Sequence, residues 1–118
     1  MPQLSQFEAE FFKALAHPLR IRVLEALRQG ELGVNELSTR LNVEQSTISQ
    51  QLAILRSRDL VAGRKRGNNV LYSVKDPATL KLLDVARDIF NNRLINMKDL
   101  LSQLEVGSLQ EPPKGWHL

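Results

Sequence analysis

Two short helical patterns separated by three residues, with a hairpin pattern directly behind them, constrain this chain more than any other feature. Val34, Leu37 and Leu41 fall at helical spacing in one segment and Ile48, Leu52 and Leu55 in the next, with Asn42-Val43-Glu44 between. Apolar residues recurring every three or four positions mark helices that bury one side. The spacing therefore predicts helices from Val34 to about Leu41 and from Gln45 to about Ser57, joined by a tight turn as a helix-turn-helix. Leu60-Val61 then leads into a strand-like stretch to Lys65, Gly67-Asn68-Asn69 supplies a turn tolerant of positive φ, and Val70-Leu71-Tyr72-Ser73-Val74 reads as a returning strand. A hairpin in that position is a wing.

The flanks are helical. Leu4, Phe7, Phe11, Phe12 and Leu15 predict a first amphipathic helix from about Leu4 to Leu15. His17-Pro18 interrupts it, and because proline costs nothing in a first helical turn, a second helix starts there, carries Ile21, Val23, Leu24 and Leu27 inward, and ends at Gly30. From Pro77 to about Leu104 the pattern is helical again. Leu80, Leu83, Phe90, Leu94, Met97, Leu101 and Leu104 alternate steps of three and four, apart from one step of seven across Arg87. A chain of 118 residues buries a modest fraction of its surface, so a stripe this long favours pairing with a second copy. The expected fold is mainly α with a small β-hairpin wing, ordered α1-α2-α3-α4-β-β-α5. Residues 1–106 form the winged helix-turn-helix domain, and 107–118, with Pro112, Pro113 and Gly115, form a loose tail.

The chemistry of the second short helix is distinctive. Its N-terminal outward positions are Gln45, Ser46, Thr47, Ser49, Gln50 and Gln51, all polar and uncharged. A solvated surface would account for most polar helix sides; in the second helix of a helix-turn-helix, such hydrogen-bonding groups are the kind that read base edges. The net charge is +3, but between Arg56 and Arg66 five basic residues face the single Asp59, a net +4 that leaves the rest near neutral. Arg64, Lys65 and Arg66 on a projecting hairpin suit phosphate or minor-groove contact. Arg56 suits either a phosphate or an ion pair with Asp59 or Glu44.

Other chemistries find little support. There is no cysteine, hence no disulfide or thiolate metal site. The two histidines are His17, placed to cap a helix, and His117 in the tail; a metal site would need pairs such as Asp84 with Asp88, or His117 with Glu111, and those carboxylates read as solvated charges. No Gly-rich phosphate loop or acid pair suggests an enzyme. No signal peptide or apolar run of membrane-spanning length is seen, so a cytoplasmic protein without membrane contact is expected.

The segments LAHPLRIRVLEAL from Leu15, VNELSTRLNVEQSTISQQLAILRSRDLV from Val34 and GRKRGNNVLYSV from Gly63 resemble the ArsR/SmtB family of winged-helix repressors in order, spacing and residue type, over roughly residues 4–105. The resemblance implies a homodimer through the first and last helices, with Phe7, Phe11, Phe12, Leu83, Phe90, Leu94, Met97 and Leu101 at the interface, bound to operator DNA of dyad symmetry and released by an effector. The family's thiolate positions fall here on Gly33 and Asn35, and its last-helix ligand positions on Asp84, Ala86, Met97 and Leu100, so one ligand of those four survives. No metal or cofactor is expected. The input is left among a small molecule, a partner protein or none. The alternative function is a winged-helix protein-interaction module or a repressor that depends on a co-regulator.

Overall fold

A computed structural model of the chain describes residues 3–104, in two units whose described parts are residues 3–81 and 82–104. The first holds α1 (Leu4–Leu15), α2 (Pro18–Ala26), a single 3-10 turn (Leu27–Gln29), α3 (Val34–Leu41), α4 (Gln45–Ser57), β1 (Val61–Arg66), β2 (Asn69–Val74) and the start of α5 (Ala78–Gln103). The second is the remainder of α5. The tail expected over 107–118 lies outside the described residues.

Local chemistry sets most of these boundaries. His17 caps α2 by accepting the Leu19 N–H on Nδ1 at 3.2 Å, with Pro18 in the first turn, where no N–H is needed. Gly30, at φ +147°, follows the 3-10 turn that ends this segment. Glu36 reaches back to the Gly33 N–H at 3.2 Å at the start of α3, and Arg22 donates to the Leu41 carbonyl at its end. The tight turn runs through Asn42 in the left-handed region, φ 55° and ψ 52°. Helix α4 ends in a Schellman motif: Leu60 N–H donates to the Leu55 carbonyl and Asp59 N–H to the Arg56 carbonyl, with Asp59 at φ 66°. The apolar contact that usually accompanies this motif is available here from buried Leu55 and Leu60.

The core of the first unit draws on every element expected to supply it. Leu15, Val23, Leu24, Leu27, Leu37, Ile48, Leu52, Leu55, Leu60 and Val61 are all buried, whereas Ile21, Val34 and Leu41, expected inside, are only half-buried. The hairpin is antiparallel, pairing Val61 with Val74 through to Arg66 with Asn69. Its loop is thus Gly67-Asn68 alone, and Asn69, expected in the turn, belongs to β2. Gly67 at φ +62° takes the first central position, which lets a two-residue connection match the twist of both strands. Leu32 forms a two-bond bridge with Tyr72, N–H to carbonyl at 3.1 and 2.8 Å. That contact ties the base of the wing to the segment before α3, and it was not foreseen.

Candidate nucleic-acid interface

Three fully buried side chains, Ile48, Leu52 and Leu55, anchor one side of α4. At 100° per residue the opposite side carries Ser46, Gln50, Ala53 and Ser57, all exposed. Gln45, Ser49 and Arg56 lie exposed on one flank, and half-buried Thr47 and Gln51 on the other. The six polar residues singled out in the sequence therefore spread over more than one side. Ser46 and Gln50 point farthest from the core, whereas Gln51 is tied inward: its Oε1 accepts from Arg20 Nε at 2.9 Å. Ala53 was overlooked. The periodicity could have found it, since it stands three residues after Gln50 and seven after Ser46, and a methyl there permits close approach and apolar contact with a thymine methyl.

The basic residues also separate. Lys65 and Arg66 are exposed on β1 beside the turn. Arg64 is equally exposed but makes a two-pronged bond to Glu31, Nε to Oε2 at 3.0 Å and Nη2 to Oε1 at 2.8 Å. This fork, with Arg66 adding a weaker attraction, holds the Glu31 carboxyl below its usual range and raises Arg64 above its own. Arg64 thus begins from an ion pair whose partner the sequence did not suggest. Arg56 is exposed; of its two suggested acidic partners, Asp59 is paired with Lys75. Gly63 lies close beneath Arg56, for a Cβ built there would stand 3.3 Å from Nη1 and 3.1 Å from Val70 Cγ1. Neither Glu31 nor Arg20 could have been picked out from the sequence, because their partners lie 33 and 31 residues away.

The candidate dimer residues divide by unit. On α1, Phe7 and Phe12 are exposed at 61% and 51%, and half-buried Phe11 meets Phe12 edge to face, ring centroids 5.7 Å apart. On α5, Leu83 is buried, Phe90, Leu94, Met97 and Leu101 are half-buried, and Leu104 is exposed. Val85, Ile89 and Leu100, which the stripe did not include, are exposed beside it. Among the described residues, no three His, Cys, Asp or Glu side chains come together to hold a metal ion, and no helix is long and apolar enough to cross a membrane. An open cleft of about 370 Å³ runs between the start of α3 and β2, lined by Gly33, Asn35, Asn69 and Tyr72 among others.

Comparison with known proteins agrees with this geometry. Residues 17–62 match the model for bacterial regulatory proteins of the arsR family. An HTH-type transcriptional regulator of Mycobacterium tuberculosis is 43% identical over 105 residues, covering 88% of this chain and 92% of the relative. Its crystal structure superposes with a TM-score of 0.73 at 42% identity, over 82% of this chain and 98% of that one. A biofilm growth-associated repressor of Agrobacterium fabrum is 35% identical over 82 residues, 70% of each chain. The solution structure of a homodimeric winged helix-turn-helix DNA-binding domain from Mycobacterium bovis gives a TM-score of 0.70 at 28% identity, covering 77% and 84%.

Proposed function

The chain belongs to the arsR family of bacterial regulatory proteins, and from that membership we propose that it is a homodimeric repressor that reads operator DNA through α4 and its wing. The coarser part needs no proposal: it is a winged helix-turn-helix, DNA-binding transcriptional regulator, not an enzyme. The observation that carries the finer reading is the outward side of α4, polar and uncharged around Ala53, on a helix anchored by three buried residues and followed directly by a hairpin bearing Lys65 and Arg66. A helix about 10–12 Å across fits a major groove about 12 Å wide.

In this reading Ser46, Gln50 and Ala53 face base edges. Gln45, Thr47, Ser49 and Gln51 border them, and Arg56, Lys65 and Arg66 neutralise phosphates. Arg64 joins them only by leaving Glu31. The exposed phenylalanines of α1 and the apolar side of α5 pair with a second copy, and two-fold symmetry then calls for operator half-sites about one helical turn apart. Repression follows from occupying a promoter in the cytoplasm. The effector is not a metal held at the thiolate or last-helix positions, because Gly33, Asn35, Ala86, Met97 and Leu100 occupy five of those six places.

The test is binding of the purified protein to its own upstream region and to a random duplex over a range of salt, with and without zinc or nickel. Specific binding that survives moderate salt and ignores metal is expected. Equal binding to both duplexes refutes operator reading and favours a protein-interaction role, and metal-induced release refutes the reading of the missing ligands.

A further inference from the structure

Arg20, on α2, holds two other elements at once. Its Nη1 donates to the Ala14 carbonyl at 3.2 Å and its Nε to Gln51 Oε1 at 2.9 Å, both in partly buried surroundings. The first bond serves the end of α1, whose last carbonyls have no partner within the helix. The second has a chemical consequence for α4. Arginine is a donor only, so the Gln51 atom facing it must be the carbonyl oxygen, however the amide would otherwise be assigned. The planar carboxamide then turns its NH2 away from Arg20, which leaves Gln51 its donors rather than its bonded oxygen to offer a ligand.

We propose that Arg20 is a positioning residue for operator recognition: it locks the Gln51 amide so that Gln51 presents donors alone and selects a hydrogen-bond acceptor on DNA. The inference rests on the reading of α4 as the DNA-reading helix. A free glutamine amide offers donor and acceptor together and suits adenine N6 and N7; a donor-only amide suits guanine O6 or N7, thymine O4 or a phosphate oxygen. Those acceptors share one chemistry, and sequence preference separates base from phosphate.

The experiment uses the full chain, its operator fragment and a set of duplexes each carrying one changed base pair, with melting temperatures in parallel. The variants are Arg20→Met, which keeps the apolar stem and loses the donors, Arg20→Lys, Gln51→Ala, the double variant Arg20→Met/Gln51→Ala, and Gln51→Glu. Glutamate keeps the inward bond to Arg20 and replaces the outward donor with an acceptor, so it tests the idea even if Arg20→Met fails to fold. Arg20→Met and Gln51→Ala should each lose about tenfold at the same base pair of each half-site. The double variant should match Gln51→Ala alone, Arg20→Lys should recover part of the loss, and Gln51→Glu should bind at least tenfold more weakly or shift preference towards cytosine, whose N4 is a donor.

Uniform loss across all duplexes, still non-additive in the double variant, identifies a phosphate as the acceptor. Wild-type behaviour of Arg20→Met, full additivity with Gln51→Ala, or unchanged binding by Gln51→Glu overturns the proposal. Ser46→Ala and Gln50→Ala distinguish the two failures. If they too leave binding unchanged, the reading of α4 itself fails; if they weaken it, only the role of Arg20 does.

Discussion

Replacing Leu52 by alanine separates what holds α4 in place from what its proposed reading side contacts. Leu52 is 1% exposed and stands between Ile48 and Leu55, both fully buried, on the inner side of the helix. The change removes three carbons at about 0.8 kcal/mol each, and the cavity left behind adds a further penalty, for a total of about 3–4 kcal/mol. That is a large fraction of the roughly 5–15 kcal/mol that stabilises a typical domain. For a chain of this length it corresponds to a fall in melting temperature on the order of 10–15 °C. Thermal unfolding followed by circular dichroism measures it, at fixed protein concentration because association adds to apparent stability. Operator titration well below the transition should show affinity close to wild type, since Leu52 does not face outward. Gln50→Ala should do the reverse, leaving melting unchanged and weakening operator binding by about 1–3 kcal/mol. A shift under about 3 °C for Leu52→Ala would refute the claim that this residue anchors α4, and comparable melting losses in both variants would refute the division of the helix into an anchored and a reading side.

The Glu31–Arg64 fork yields two further expectations. Because Glu31 already engages Arg64, Arg64→Ala should lose less DNA affinity and change the salt dependence less than Lys65→Ala or Arg66→Ala, as read by fluorescence anisotropy over a salt series. Glu31 has a lowered folded pKa, chiefly through its hydrogen bonds to Arg64. Its contribution is therefore complete above the usual carboxylate range and is lost as pH falls through the lowered value. Protection of the Leu32 and Tyr72 amides, taken relative to their intrinsic exchange rates, should fall as pH drops below the usual carboxylate range, and Glu31→Gln should flatten that dependence. Asp59→Gly should raise the melting temperature, since the strain of a non-glycine residue at φ 66° costs up to about 1–2 kcal/mol, whereas Asp59→Val should lower it. Gly63→Val should destabilise the wing by about 1–3 kcal/mol, because even a Cβ there would crowd Val70 and Arg56; limited proteolysis of the hairpin would report it.

The architecture was legible because its signals are local. Helical spacing, the Pro18 start, the Gly30 stop and the glycine-led turn act within a few residues, and the expected bounds of α1, α3 and α4 coincide with the observed ones. The reading slipped where pairing across strands decides the outcome: register with Arg66 moved Asn69 from the turn into β2. In α4, the apolar period already set the inner side at Ile48, Leu52 and Leu55 and could have ranked the six polar residues around it; what it could not show is that Arg20 ties Gln51 inward.

Whereas the missing metal ligands follow from the family resemblance, what the sequence determined by itself is the winged helix-turn-helix and the chemical character of α4 and the wing. Each depends on residue type at short spacing, where steric and solvation preferences act without help from distant segments. Only the tertiary structure decided the state of individual side chains. It gave Arg64 to Glu31, Gln51 to Arg20 and Asp59 to Lys75. An ion pair or a hydrogen bond depends on where two groups meet in space, and residues 16 to 33 positions apart meet only after the core has brought their elements together.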